Sequence, residues 1–312
     1  MSRLIQLSVI ICTWNRQVSL GETLSSLEKS QLPTGTTWEV LIVDNNSTDG
    51  TGTLCQRFVE QNPGRYRYLL EKRQGKSFAL NTGVANAKGQ ILAFTDDDVT
   101  LHPEWLAETL RVFETHACAG VGGKIIAVWD SDKPDWLTSD GPYKLRPAIV
   151  SFDLGEKLCE MKFPAYGANL SLKKEVFEKH GMFRTDLGPT FGSEIRGEDN
   201  EFCWRLLRTG ERLIYAPKAI VFHPVDKHRV NKRYFQEWYY GMGRSLPRIA
   251  RPPQGAVRYF GFPRYMLGWY LRDFLLWISS LTPKRRFYYK LQFCATRGQI
   301  MEEKRIWQNS HQ

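Results

Sequence analysis

Three consecutive aspartates, Asp96, Asp97 and Asp98, close an apolar run in the stretch AFTDDDV. Adjacent carboxylates repel one another, and either water or a cation must relieve them. In an extended segment alternate residues point the same way, so Asp96 and Asp98 can face one ligand while Asp97 faces away. Carboxylate oxygens suit hard divalent cations such as Mg²⁺ or Mn²⁺. Such a cation commonly bridges carboxylates to a diphosphate; a solvated acidic turn is the alternative. A second acidic group, Gly197-Glu198-Asp199, heads a predicted helix. A helix N-terminus favours negative charge, so both carboxylates are expected to be ionised at neutral pH. An ionised carboxylate can serve as a general base, although acids at this position also simply favour helix initiation. His223 ends the apolar run AIVFH, as a ligand or as a hydrogen-bonded structural residue. Lys76, in QGKSFALN, sits near a helix start where it could hold a phosphate. The pattern GxxxxGK[ST] is absent, so this is not a P-loop.

Those residues need a scaffold. Leu7 to Cys12, Trp38 to Val43, Tyr66 to Leu70 and Ile91 to Thr95 are short, nearly all-apolar runs and read as strands. Between them, helices are expected through Leu20, Leu24 and Leu27, through Leu54 and Phe58, over Ser77 to Ala87 despite Gly83, and over Glu104 to Phe113 after Pro103. Alternating strands and helices indicate an α/β chain with a parallel sheet covered on both faces. Ligands of such sheets bind beyond the carboxyl ends of the strands, where the loops TWNR, DNNS and DDD all fall. Residues 129–162 show no period and read as irregular. Short strands are expected at Leu213 to Tyr215 and Ala219 to Phe222.

In order and spacing, LSVIICTWNR, EVLIVDNNSTDGT, GKSFALNTGVANAKGQILAFTDDD, GANLSLKKEVFEKHGMF and GEDNEFCWRLLRTGERLIYAPKAIVFH resemble the family-2 glycosyltransferases with the GT-A fold. The resemblance covers residues 7 to about 225. It implies a mainly parallel, Rossmann-like sheet flanked by helices. It also implies inverting transfer of a sugar from a nucleotide diphosphate sugar to a hydroxyl of a glycan or lipid-linked acceptor. On this resemblance Thr13 and Asp44 lie against the nucleotide base, and Asp96 near the ribose and phosphates. Asn15, Lys76, Asn81 and Asp97 join them as candidate donor contacts. Asp98 and His223 would hold a divalent cation, Mn²⁺ or Mg²⁺. Asp199 would be the catalytic base, with Glu198 as its substitute. Asp44 points to a uridine donor. Inversion requires a base on the face of the sugar opposite the leaving group, and a metal can neutralise the charge that develops on the departing nucleotide.

The 312 residues, 42% hydrophobic and 24% charged, suit an ordinary globular protein. The net charge of +10 is uneven: residues 227–312 hold 17 Lys and Arg against 4 Asp and Glu, a net of +13, leaving −3 for the rest. The division expected is a catalytic domain over 1–226 and a basic, aromatic-rich helical extension over 227–312. Interleaved basic and aromatic residues suit an anionic membrane surface, or helices packing their aromatics inward. No run approaches the roughly 20 apolar residues of a membrane span, and the N-terminal apolar run is too short for a signal sequence. The expectation is a cytoplasmic protein, peripheral on the inner membrane face. Six cysteines without CxxC spacing read as free thiols. Two rival enzymes fit less well. A sugar-1-phosphate nucleotidyltransferase needs a glycine-rich loop after the first strand, and a processive synthase needs membrane helices and QxxRW. A nucleic-acid-binding protein would use the basic tail but leaves the acids and His223 without a purpose.

Overall fold

The computed structural model describes residues 6–130, 132–138, 141–193 and 195–311. In chain order the elements are β1 (Leu7–Thr13), α1 (Gln17–Leu27), β2 (Trp38–Asp44), α2 (Thr51–Gln61), β3 (Tyr66–Leu70), α3 (Lys76–Asn86), β4 (Ile91–Thr95), β5 (Thr100–Leu101), α4 (Trp105–Thr115) and β6 (Gly120–Trp129). They continue with β7 (Cys159–Met161), β8 (Leu170–Lys173), α5 (Glu175–His180), α6 (Glu198–Arg208), β9 (Leu213–Val225), α7 (Lys232–Ile249), β10 (Arg258–Tyr259), β11 (Phe262–Pro263), α8 (Tyr265–Ser279) and α9 (Pro283–Asn309). The chain forms two compact units. One comprises residues 1–128, 150–185 and 198–224, the other 129–149, 186–197 and 225–312.

The first unit is an α/β layer structure around one sheet, in the order β3-β2-β1-β4-β8-β6-β9-β5, with β7 paired to β9. Strands β3, β2, β1 and β4 are parallel. Beyond β4 the described pairings are antiparallel. Alternation along each strand fills two cores. Ile10, Leu41, Val43, Leu92 and Phe94 face one side, and Val9, Ile11, Val40, Ile42 and Ala93 the other. This explains why the strands read as unbroken apolar runs: both faces are covered. Gly83 is tolerated in α3 because the helix lies directly on β1, where an added Cβ would come within 2.5 Å of Ile10 Cγ2. A side-chain keystone ties the antiparallel half together. Buried Asn169 accepts from the Trp105 indole N–H at 2.8 Å and donates to the carbonyls of Lys124 and Ala219, both at 2.9 Å.

Two expectations about strands change. The pieces expected at 213–215 and 219–222 are one strand, β9, running through Pro217. Proline cannot donate to a ladder, but Pro217 falls between the segment paired with β7, Leu213 to Tyr215, and the segment paired with β5, Val221 to Phe222. The irregular reading of 129–162 also misses β7 and a helical turn at Arg146–Ile149. These pieces are too short to show a period.

In the second unit α9 packs against both α7 and α8. Part of the tail's basic charge is used internally. Buried Glu302 accepts from Arg244, Arg248 and Arg305, and buried Glu303 from Arg258. Several aromatics pack inward: Trp136 meets the Phe235 and Phe287 rings edge-on, with centroids 5.2 and 5.1 Å away. No helix among the described residues is long and apolar enough to cross a membrane.

Candidate active site

Because β1, β2 and β4 are parallel, their carboxyl ends open on one edge. Thr13 pairs with Asp44, and Ile11 with Thr95. That register brings TWNR, DNNS and DDD side by side. Asp44 is buried. Its Oδ1 accepts from the Ser47 N–H at 2.8 Å and its Oδ2 from the Tyr68 hydroxyl at 2.9 Å. The Thr13 hydroxyl is buried without a hydrogen bond of ordinary geometry and lies beside Asp97. Asn15 adopts a left-handed conformation (φ 51°) and ties two loops together. Its N–H donates to Ser47 Oγ at 2.9 Å, and its Oδ1 accepts from the Thr48 N–H at 2.7 Å.

The three aspartates form a turn rather than an extended strand end, yet Asp97 still parts from its neighbours. One oxygen from each of Asp96 and Asp98 and one nitrogen of His223 lie within 4.8 Å of one another. The β5–β9 ladder makes this possible. Thr100 pairs with Phe222, so running back along β5 brings Asp98 level with the His223 segment. His223 is buried, and its Nδ1 lies 2.9 Å from the Pro224 carbonyl. A carbonyl can only accept, so Nδ1 carries a hydrogen, and Nε2 lies 3.5 Å from Asp98 Oδ1. A cation held between the two carboxylates and this nitrogen would relieve the crowding of negative charge. Two carboxylates and an imidazole are donors that suit Mn²⁺ or Mg²⁺, so these residues fit the metal the sequence implies.

Two basic side chains offset the acids. Arg16 donates to Asp98 Oδ2 at 2.6 Å and stands 3.9 Å from Asp97 Oδ1. Lys76 Nζ donates to Asp96 Oδ1 at 2.7 Å and lies 3.9 Å from Glu198 Oε1. Burial pulls the Lys76 ammonium down, but Asp96 and Glu198 outweigh it and raise its pKa. Asp97 also rises, but for an acid this disfavours the charged form. Burial and the neighbouring Asp98 push it up to about 6 against the pull of Arg16.

Neither Arg16 nor Asn45 is among the residues picked out by type and spacing. Arg16 stood in the loop TWNR without a role. Asn45, in DNNS, staples the β3–α3 loop. Its Nδ2 donates to the carbonyls of Glu71 (3.0 Å) and Arg73 (2.7 Å), and its Oδ1 accepts from the Gly75 N–H at 2.8 Å. That staple sets where α3 begins, and so where Lys76 points. Asn81, one turn further along α3, spends its amide on the backbone of Phe183, donating at 2.8 Å and accepting at 3.0 Å.

The second acidic pair opens α6. Asp199 Oδ2 accepts from the Gly167 N–H at 2.6 Å, and Oδ1 from the Asn200 N–H at 2.7 Å. Gly167 allows this approach, since an added Cβ would stand 3.1 Å from Asp199 Oδ2. Glu198 corrects the expectation that both acids are ionised. It is 4% exposed, and burial, reinforced by Asp199 next to it, pushes its pKa up to about 7. At this position desolvation outweighs the helix N-terminus. Lys76 thus links the aspartate cluster to the acidic pair.

Comparison with known proteins follows this geometry. The model of a family described as "Glycosyl transferase family 2" matches residues 8–181. The "Glucosyl-dolichyl phosphate glucuronosyltransferase" of Haloferax volcanii is 25% identical over 264 residues, covering 80% of this chain and 79% of that protein. The "Succinoglycan biosynthesis protein ExoM" of Rhizobium meliloti is 24% identical over 246 residues, covering 78% and 75%. A solved mannosyltransferase from Pyrobaculum calidifontis, in complex with GDP-Man and Mn²⁺, superposes with a TM-score of 0.56 at 19% identity, covering 95% of this chain and 73% of that one. The fold is the GT-A fold, and the chain belongs to glycosyl transferase family 2 as a glycosyltransferase.

Proposed function

We propose that the chain is a metal-dependent inverting enzyme that moves a sugar from a nucleotide diphosphate sugar, a UDP-sugar by preference, to a hydroxyl of a glycan or lipid-linked saccharide. One observation carries this reading: the Asp96, Asp98 and His223 donor atoms converge within 4.8 Å at the strand ends. The relative named for glucosyl-dolichyl phosphate and the neighbour solved with GDP-Man and Mn²⁺ support the acceptor and cofactor classes.

In this reading Asp98 and His223, with Asp96 beside them, hold the divalent cation. When bound, the cation supplies charge neutralisation to the diphosphate leaving group. Asp44 keeps a second lone pair on each oxygen after its bonds to Ser47 and Tyr68, and accepts from the base ring N–H. Thr13 lines the same pocket and Asp97 backs it. Asn15 and Asn81 act through the loops and backbone they hold. Lys76 keeps Asp96 charged and in place. Asp199 takes the proton of the acceptor hydroxyl on Oδ2, which has a lone pair to spare beside the Gly167 N–H. Glu198, with its pKa near neutrality, is the substitute base. Residues 1–226 carry this chemistry. The extension over 227–312 brings the enzyme to the inner, anionic membrane surface from the cytoplasm.

A panel of nucleotide sugars, tested for thermal stabilisation and hydrolysis with and without Mn²⁺, tests the reading. A metal-dependent response to UDP-sugars is expected. No response to any nucleotide sugar would overturn it, and a metal-independent response would remove the cation.

A further inference from the structure

Helix α8 buries only Met266 and Asp273. Its inner side is held to α9: Asp273 Oδ2 accepts from the Thr296 hydroxyl at 2.6 Å, and the Tyr270 and Trp277 rings lie 4.7 and 5.4 Å from Phe293. The outer side is a leucine-rich stripe. Leu267, Leu271, Leu275 and Ile278 recur at intervals of four, four and three residues and are 41%, 50%, 58% and 50% exposed. Leu281, just past the helix, is 97% exposed. An apolar stripe of this kind on a water-facing helix marks a contact surface.

The charges around the stripe choose the occupant. Arg264 precedes the helix, Arg272 lies within it, and Lys284, Arg285 and Arg286 open α9; all are exposed. The one acid of the helix, Asp273, is buried and bonded to Arg272 and Thr296. A second copy docked by two-fold symmetry would set this basic rim against itself. An anionic bilayer satisfies both the stripe and the rim. Fifteen residues of helix measure about 22 Å, too short to span the roughly 30 Å hydrocarbon core. The helix must therefore lie in the interface plane.

We infer that α8 is an in-plane membrane anchor, its Leu267–Ile278 stripe sunk into the acyl boundary of an anionic leaflet while Arg264, Arg272 and the Lys284–Arg286 cluster contact lipid phosphates. This deepens the membrane-surface reading above by naming the element and making apolar insertion, as well as charge, the source of binding.

The test is flotation of the full chain with phosphatidylcholine vesicles, with and without phosphatidylglycerol, over a salt series. Wild type floats with the phosphatidylglycerol vesicles and retains part of this binding at high salt. The double variant Leu271→Asp/Leu275→Asp loses at least about tenfold in partition coefficient, while Arg285→Ser/Arg286→Ser loses binding only on the anionic vesicles. The thermal melt of each variant, and its nucleotide-sugar response in vesicle-free solution, report separately on the fold and on the donor reading. Three results would overturn the inference: equal flotation of the leucine variant, no flotation of wild type, or a wild-type dimer in sedimentation that the leucine variant turns into monomer.

Discussion

Replacing Glu198 by Gln separates a buried acid from a surface one by its effect on stability against pH. Glu198 titrates near 7 in the folded chain, against an ordinary 4.5. The folded state therefore holds this proton over a range where the unfolded chain has released it. Stability falls with rising pH wherever the folded state binds more protons, so wild type loses stability between about pH 4.5 and 7. At roughly 1.4 kcal/mol per pH unit, the loss due to this residue is about 3 kcal/mol. Gln cannot titrate and escapes it. The attraction to Lys76, 3.9 Å away, acts only on the ionised carboxylate and is already contained in that pKa. Urea denaturation of both proteins at a series of pH values, with a chelator present, gives the difference. The variant should gain about 3 kcal/mol on wild type between pH 4.5 and 7 and nothing below. A flat difference, or one that grows below pH 4.5, would refute the account of a desolvated Glu198.

Asp199→Asn should leave donor affinity within a few-fold and lower transfer by on the order of 10²–10⁴; full turnover would move the base elsewhere. It should also melt slightly lower, because both Asp199 oxygens accept from N–H groups and an amide can match only one side. Gly167→Ala presses on the same carboxylate and should lower kcat with KM for donor unchanged, read by steady-state kinetics. Asp98→Ala should abolish any Mn²⁺ dependence of donor binding in titration calorimetry, and a wild-type metal response in this variant would sink the cation site. Asn45→Ala removes three hydrogen bonds that fix the Lys76 loop and should cost roughly 2–3 kcal/mol in denaturant unfolding.

The parallel half of the sheet was legible because its strands are covered on both faces and read as unbroken apolar runs. Asp96, Asp98 and His223 were legible as types, and the resemblance put them in one site. Their convergence depends on a pairing between β5 and β9 that two short residues of β5 do not announce. Asn45 stayed hidden because an asparagine after a strand looks like any turn residue; its three bonds are to backbone, which no spacing rule encodes. The charge state of Glu198 was misread for a related reason. Helix position is visible in sequence, whereas burial beneath other elements is not. Within the tail, net charge overstated what is free to act, since Glu302 and Glu303 consume four arginines, three of them far away in the chain.

The unbroken strand β9 limits how this chain can change length. Pairing with β7 fixes it near Tyr215 and pairing with β5 near Phe222. Between these anchors the alternation slips once around Pro217 and Lys218, since Ile214 and Ala216 face the same core as Ala219 and Val221, and from Ala219 it runs on regularly to His223. Deleting one residue beyond that slip, Ile220 for instance, would turn every later side chain to the opposite face and carry the imidazole away from Asp98 even if every atom of the aspartate loop stayed in place. Deleting two would restore the face but draw the histidine back along the strand by about 6.6 Å. Loops elsewhere in the chain can gain or lose residues at small cost, but between Tyr215 and Phe222 any such change reaches His223.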